Sequence, residues 1–232
     1  MRNTGKTVRS GKALLLIFIF LLVLLSATPV SAANPKWKKL KVKYAEKANT
    51  DRLIFVKYLG GTKAKLYMFT KKTRRNGTHY WKKILRCKAF VGMNGIGKKR
   101  EGDVKTPKGT FRLTEGFGIK DNPGLTGLKY TKLTDYLYWS GEQSTYNTMV
   151  DSRVLGHVPQ NSEHLIDYNP HYNYALNINY NRKHIYKKGS ALFLHCTGSN
   201  PYTHGCVAVT EANMIRIMKN TTAKTRICIY DS

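Results

Sequence analysis

Leu53-Ile54-Phe55-Val56-Lys57-Tyr58-Leu59, followed by Gly60-Gly61, is β-branched and aromatic and ends in a turn signal, the pattern of a strand. Lys65-Leu66-Tyr67-Met68-Phe69 resumes in the same style. Arg75-Asn76-Gly77-Thr78 reads as a hairpin turn, because Asn-Gly accepts the positive φ of a tight connection. Trp81 to Val91 is extended again, and Thr225 to Tyr230 reads as a terminal strand. Short strands at this spacing predict a mainly β fold, a β-sandwich or mixed sheet with one or two short helices. The better helix spans Thr210 to Lys219: Thr210 is the N-cap, Glu211 suits the first turn, and Met214, Ile215, Ile217 and Met218 form an apolar face. Tyr130 to Trp139 reads as a second short helix.

Composition bounds the rest. The chain has 232 residues, enough for one domain or two small ones. Its 40 Lys and Arg outweigh 13 Asp and Glu, for a formal charge of +27, yet 41% of residues are hydrophobic, which excludes a disordered polyelectrolyte. With 19 Gly and 7 Pro it is neither collagenous nor low-complexity, and 4 Cys do not make a disulfide scaffold. A globular protein with so cationic a surface favours polyanionic partners.

The N-terminus narrows those partners. Arg2, Lys6, Arg9 and Lys12 form a positive segment without acids, and Ala13 to Leu25 is an unbroken run of 13 apolar residues, short of the about 20 needed to span a bilayer. Small residues then offer cleavage after Ala32 or Ala33. Residues 1–33 are therefore read as a secretory signal peptide, 34–51 as a basic arm or linker, and 52–232 as the folded domain. Removing the four signal charges leaves about +23. The expectation is a secreted, extracytoplasmic protein associated with the cell wall, with no transmembrane segment after cleavage. Its charge would meet anionic wall polymers rather than nucleic acid, for which no recognition motif is legible.

Chemistry concentrates near the C-terminus. Ala191-Leu192-Phe193-Leu194-His195-Cys196 reads as a buried strand, Thr197 to Thr203 as a loop, and His204-Gly205-Cys206-Val207-Ala208-Val209 follows. A thiol is nucleophilic only as thiolate, and a neighbouring imidazole can take its proton. The glycine before Cys206 frees the backbone for close approach, and the helix that follows favours negative charge there. Three plainer readings stand beside this one. His195 is a satisfied core histidine; or His195, Cys196, His204 and Cys206 hold zinc, at a spacing unlike the common structural sites; or Cys196 and Cys206 form a disulfide. Cys87 and Cys228 read as buried small hydrophobes, with a disulfide between them as the alternative.

The segment resembles the L,D-transpeptidase catalytic domain (YkuD-like) family, whose signature is a His, a variable loop, then Ser/Thr-His-Gly-Cys. Here that is His195 followed by Thr203-His204-Gly205-Cys206. Thr106-Pro107-Lys108-Gly109-Thr110-Phe111 matches a second family feature, and Gly92-Met93-Asn94-Gly95 and Gly102-Asp103 precede it. Trp139 to Asn147, Asn177 to Asn181 and Gly189-Ser190 are similar to an exported branch, so the likeness runs from about Leu53 to Tyr230. Three features depart from the pattern: a loop of only seven residues, 196–202; Cys196 after the histidine; and Ala208 where a polar residue is common. The alternating faces of a strand point Cys196 away from His195, as a structural residue.

The resemblance implies that Cys206 is the nucleophile and His195 the proton acceptor and donor. His204 would shape the site, and the Gly205 and Cys206 N–H groups would form the oxyanion hole. The implied substrates are peptidoglycan stem peptides, cleaved before a terminal D-Ala through a thioester and resolved by an amine, with no metal or organic cofactor. An L,D-carboxypeptidase, in which water resolves the thioester, and a non-catalytic cationic wall-binding protein are the alternatives.

Overall fold

The structure, a computed structural model, describes residues 35–231. The segment expected to be an export signal, 1–33, lies outside the described residues. Lys39–Ser232 forms one compact unit; of a second unit, Met1–Lys38, only the first residues of a helix are described. That helix, α1 (Pro35–Ala45), corrects the expected loose arm. Pro35 suits the first turn of a helix, where its missing N–H costs nothing. From Lys39 onward α1 is anchored on the sheet. The Lys41 ammonium sits 3.7 Å from the Phe69 ring centroid, Trp81 Nε1 donates to Lys41 O at 3.0 Å, and Tyr44 is buried beneath the Arg226 guanidinium. Lysine stems that lie along aromatic surface made this amphipathic segment look merely polar.

The strands are β1 (Arg52–Gly60), β2 (Lys63–Thr73), β3 (His79–Phe90), β4 (Gly109–Gly118), β5 (Tyr130–Lys132), β6 (Leu137–Trp139), β7 (Met149–Asp151), β8 (Glu163–His164), β9 (Ala175–Ile178), β10 (Phe193–Cys196), β11 (Val207–Val209) and β12 (Thr225–Asp231). They confirm a mainly β, mixed-sheet fold. Nine strands run in the order β12-β1-β2-β3-β11-β10-β9-β4-β5, and β12 also pairs with β4, so the sheet closes on itself. β7-β6-β8 form a small second sheet. The β2–β3 hairpin turns at Gly77, whose φ of 81° requires glycine, with Arg74 N–H donating to Thr78 O at 2.8 Å.

The helix expected over Tyr130 to Trp139 is instead β5 and β6. Tyr130, Thr131 and Lys132 extend the β4 ladder in parallel opposite Gly116 to Gly118, and Trp139 pairs with Met149. Aromatic and β-branched side chains on a half-buried ladder outweigh a weak local helical pattern. Two further helices are α2 (Ser152–Leu155) and α3 (Glu211–Asn220). Thr210 occupies the N-cap position of α3, but its Oγ1 accepts from the Asn213 side chain at 2.7 Å rather than from a backbone N–H. Met214, Ile217 and Met218 of α3 are fully buried in the main core with Leu194, Cys196, Val207 and Val209. Phe117, Trp139, Tyr172, Phe193 and Cys206 form a second cluster.

Candidate active site

The site begins with β10 and β11. Phe193-Leu194-His195-Cys196 is buried throughout, and β11 lies parallel beside it with His195 opposite Ala208. Side chains alternate along each strand, so Leu194, Cys196, Val207 and Val209 enter the main core while Phe193, His195 and Cys206 share the other face. Cys196 therefore lies across the sheet from Cys206, where its Sγ meets Tyr174 O at 3.6 Å. The same separation corrects two of the plainer readings: Cys196 and Cys206 are too divergent for a disulfide or a shared zinc. All four cysteines are free thiols. Burial pushes the Cys196 and Cys228 thiols up to about 12 and that of Cys87 to about 11.

Cys206 Sγ is held at both sides by backbone. Its thiol donates to Ala191 O at 3.2 Å, and Phe193 N–H donates to it at 3.2 Å. Burial pushes this thiol up to about 12; the Phe193 N–H and the Lys98 ammonium pull against the rise, and Glu163 adds to it. The Cys206 carbonyl is fixed by two hydroxyls, Thr203 Oγ1 at 2.7 Å and Thr106 Oγ1 at 2.9 Å. Thr106, fully buried, also accepts from Gly92 N–H at 2.8 Å. The Thr-Pro-x-Gly-x-Phe motif thus braces the cysteine from 100 residues away.

Gly205 has φ 145°, and a Cβ there would come within 2.9 Å of Leu192 Cδ2 and 3.2 Å of Lys105 O. Its N–H is already donated to Thr203 Oγ1 at 3.1 Å. Of the two N–H groups expected at an oxyanion hole, that of Gly205 is thus engaged by Thr203 Oγ1, and that of Cys206 lacks a partner among the described residues. Behind Gly205, Lys98 Nζ pairs with Asp103 at 2.8 Å, with side chains only 4% and 12% exposed. Burial opposes ionisation of Asp103, but Lys98 and the N–H groups of Lys99, Arg100 and Lys105 hold its carboxyl down to about 2.

His195 Nδ1 lies 2.7 Å from Cys196 O. A carbonyl oxygen only accepts, so Nδ1 carries the proton and Nε2 is left with its lone pair. Burial pushes the imidazole down to about 4; the Cys196 carbonyl opposes this and His171 adds to it. The resting pair is therefore neutral thiol and neutral imidazole. The His171 ring meets His195 edge-on at 5.6 Å. Loop 197–203 closes on His171 so tightly that a Cβ on Gly198 would lie 2.4 Å from its Cε1.

The remaining motif residues position Ala191, the acceptor of the thiol. Asn147, at φ 61°, accepts through Oδ1 from Trp139 Nε1 at 3.1 Å and from Ala191 N–H at 3.2 Å. Tyr146 OH accepts from Gly189 N–H at 3.1 Å, and Asn181 Nδ2 donates to Ile185 O and Gly189 O.

A cleft of about 230 Å³ opens over Cys206 and His195. His204 lines it, exposed and stacked near Tyr202 with ring centroids 6.2 Å apart. Glu163, His171 and Tyr172 also line it, and sequence reasoning missed all three. They lie in segment 163–172, which carries no motif around them, so no local signal marks them. Tyr172 OH donates to Glu163 Oε2 at 2.5 Å. Burial pushes the Glu163 carboxyl up to about 7, against the pull of that hydroxyl. His171 Nδ1 and Ser190 Oγ, both in residues of the cleft wall, are buried without a hydrogen-bond partner among the described residues.

The helix expected to favour negative charge at Cys206 does not reach it. The three residues of β11 intervene, about 10 Å of extended chain, and the first turn of α3 holds Glu211, paired with Lys120 and Asn173.

No curated protein matches the chain. Residues 62–229 match the family described as the L,D-transpeptidase catalytic domain (YkuD). That span contains the β10–β11 pair, the Thr106 brace and the cleft wall, and so the chain belongs to the L,D-transpeptidase catalytic-domain (YkuD) family.

Proposed function

We propose that the protein is an exported L,D-transpeptidase that acts on peptidoglycan stem peptides through a thioester on Cys206. The observation that carries this reading is the pair on one sheet face. Cys206 Sγ is held between Ala191 O and Phe193 N–H, and beside it stands a histidine whose Nδ1–H is committed to Cys196 O. In the first step Sγ attacks the carbonyl carbon of the L-centre before a terminal D-residue. Its proton passes to His195 Nε2. Because both groups rest neutral, proton transfer accompanies attack rather than preceding it. The Phe193 N–H eases charge on sulfur, and the Cys206 N–H is available to the carbonyl oxygen. The C–N bond breaks, the leaving amine takes the His195 proton, and the amine of a neighbouring stem resolves the thioester. His204, with His171 Nδ1 and Ser190 Oγ, which have no hydrogen-bond partner among the described residues, supplies polar surface for the peptide.

Wall association finds support in the sheet. Lys57, Lys65 and Lys88 sit directly opposite one another on β1, β2 and β3. Like charges on adjacent strands repel, and a bound polyanion relieves that repulsion. Together with the signal at 1–33, this favours an extracytoplasmic protein on an anionic wall.

The test is acyl-enzyme formation with a tetrapeptide stem or a carbapenem, read as a mass adduct. Cys206→Ala should abolish the adduct and Cys196→Ala should retain it. An adduct that survives Cys206→Ala, or that Cys196→Ala alone removes, overturns the reading.

A further inference from the structure

Glu163 is an anomaly in a site built on a thiol. A carboxylate that raises the Cys206 thiol opposes formation of the thiolate, so it hinders acylation. Its one hydrogen bond among the described residues comes from Tyr172 OH to Oε2, and no Lys, Arg or His pairs with it there. Buried carboxyls are costly unless a cation or several donors satisfy them. The group is nevertheless tied to the catalytic face, because Tyr172 packs edge-on against both His195 (5.7 Å) and Phe193 (5.4 Å). A group that hinders the first half-reaction and lacks a protein cation fits a second half-reaction that brings a cation in.

We infer that Glu163, oriented by Tyr172, is an ammonium-binding subsite that receives the acceptor amine and favours aminolysis of the thioester over hydrolysis. The inference rests on the transpeptidase reading and goes on to name what selects its second substrate. The acceptor arrives as R–NH3+ and pairs with the Glu163 carboxylate. Glu163 takes one proton, and the free amine attacks the thioester carbonyl carbon. The C–N bond forms and the C–S bond breaks. His195 takes a second proton from the nitrogen and returns it to Sγ. The proton left on Glu163 goes to solvent when the cross-linked product departs, which restores the carboxylate. The carboxyl's elevation to about 7 by burial suits a group that must accept a proton from an ammonium and release it near neutrality.

The test compares wild type and Glu163→Gln in acylation rate at Cys206 and in the ratio of aminolysis to hydrolysis with an amine-bearing stem peptide as acceptor. Glu163→Gln should acylate faster, because a negative charge near the thiol is gone, while its aminolysis-to-hydrolysis ratio falls about tenfold or more. A ratio unchanged from wild type overturns the inference. So does an equal loss of acylation and aminolysis, which would place the donor peptide's ammonium at Glu163 instead. If the variant fails to fold, the wild-type protein still decides. An acceptor whose amine is replaced by a hydroxyl should bind about tenfold or more weakly than the amine, and equal binding overturns the inference. Absence of any acyl adduct on the wild-type protein sinks the transpeptidase reading itself, and this inference with it.

Discussion

Thr106→Val separates the hydroxyl of the Thr-Pro-x-Gly-x-Phe motif from its shape. Valine has nearly the same volume, but it can neither accept from Gly92 N–H nor donate to Cys206 O, bonds of 2.8 and 2.9 Å in a fully buried position. The Cys206 carbonyl keeps Thr203 Oγ1 at 2.7 Å, so the main loss is the orphaned, buried Gly92 N–H. Such a group costs about 1–3 kcal/mol, and with the second bond lost the total is about 2–3 kcal/mol. For a domain of this size that lowers Tm by roughly 4–12 °C. The carbonyl belongs to the cysteine itself, so the thiol loses its register as well, and acylation should slow about tenfold or more. Thermal unfolding and the rate of adduct formation read the two effects. Thr106→Ser keeps both bonds and should stay close to wild type. If Thr106→Val melts within a degree of wild type, or Thr106→Ser is as damaged as the valine variant, the brace is packing rather than hydrogen bonding and the reasoning fails.

Two further outcomes are expected. Alkylation of Cys206 by iodoacetamide, followed by peptide mass, should speed up about tenfold per pH unit between pH 7 and 10, because the thiol is pushed up to about 12; a plateau below pH 8 would mean a preformed thiolate–imidazolium pair. Asp103→Asn should destabilise the fold by about 3 kcal/mol at pH 7, since it removes an ionised carboxylate and strands the buried Lys98 ammonium. The Asp103 carboxyl sits at about 2, below the unfolded value of about 3.9, so its contribution is present above pH 4 and fades as pH falls towards 2. Chemical denaturation across that range should show the two proteins converge, and a gap that persists at pH 2 would refute the assignment.

The strands of the β1–β2–β3 meander were legible because β-branched and aromatic runs and an Asn-Gly turn act within a few residues. The Tyr130 to Trp139 segment was not, because its partners at Gly116 and Met149 exist only in the folded sheet. The basic arm hid a helix for a related reason: the Phe69, Trp81 and Arg226 contacts that hold it lie far along the chain.

Residue order alone carries the chemistry on offer, a histidine and a cysteine separated by a short loop, and the opposite facing of Cys196, because strand alternation is a local rule. Tertiary structure decided what surrounds that pair. It spent the Gly205 N–H on Thr203, bound the Cys206 carbonyl to Thr106, fixed the His195 tautomer through Cys196 O, and brought Glu163 and Tyr172 into the cleft. The Thr106 brace and the arrival of Glu163 and Tyr172 depend on segments that only a closed sheet brings together, whereas the His195 and Gly205 bonds reach one and two residues along the chain and turn on backbone geometry and burial; none of these quantities is written in residue order.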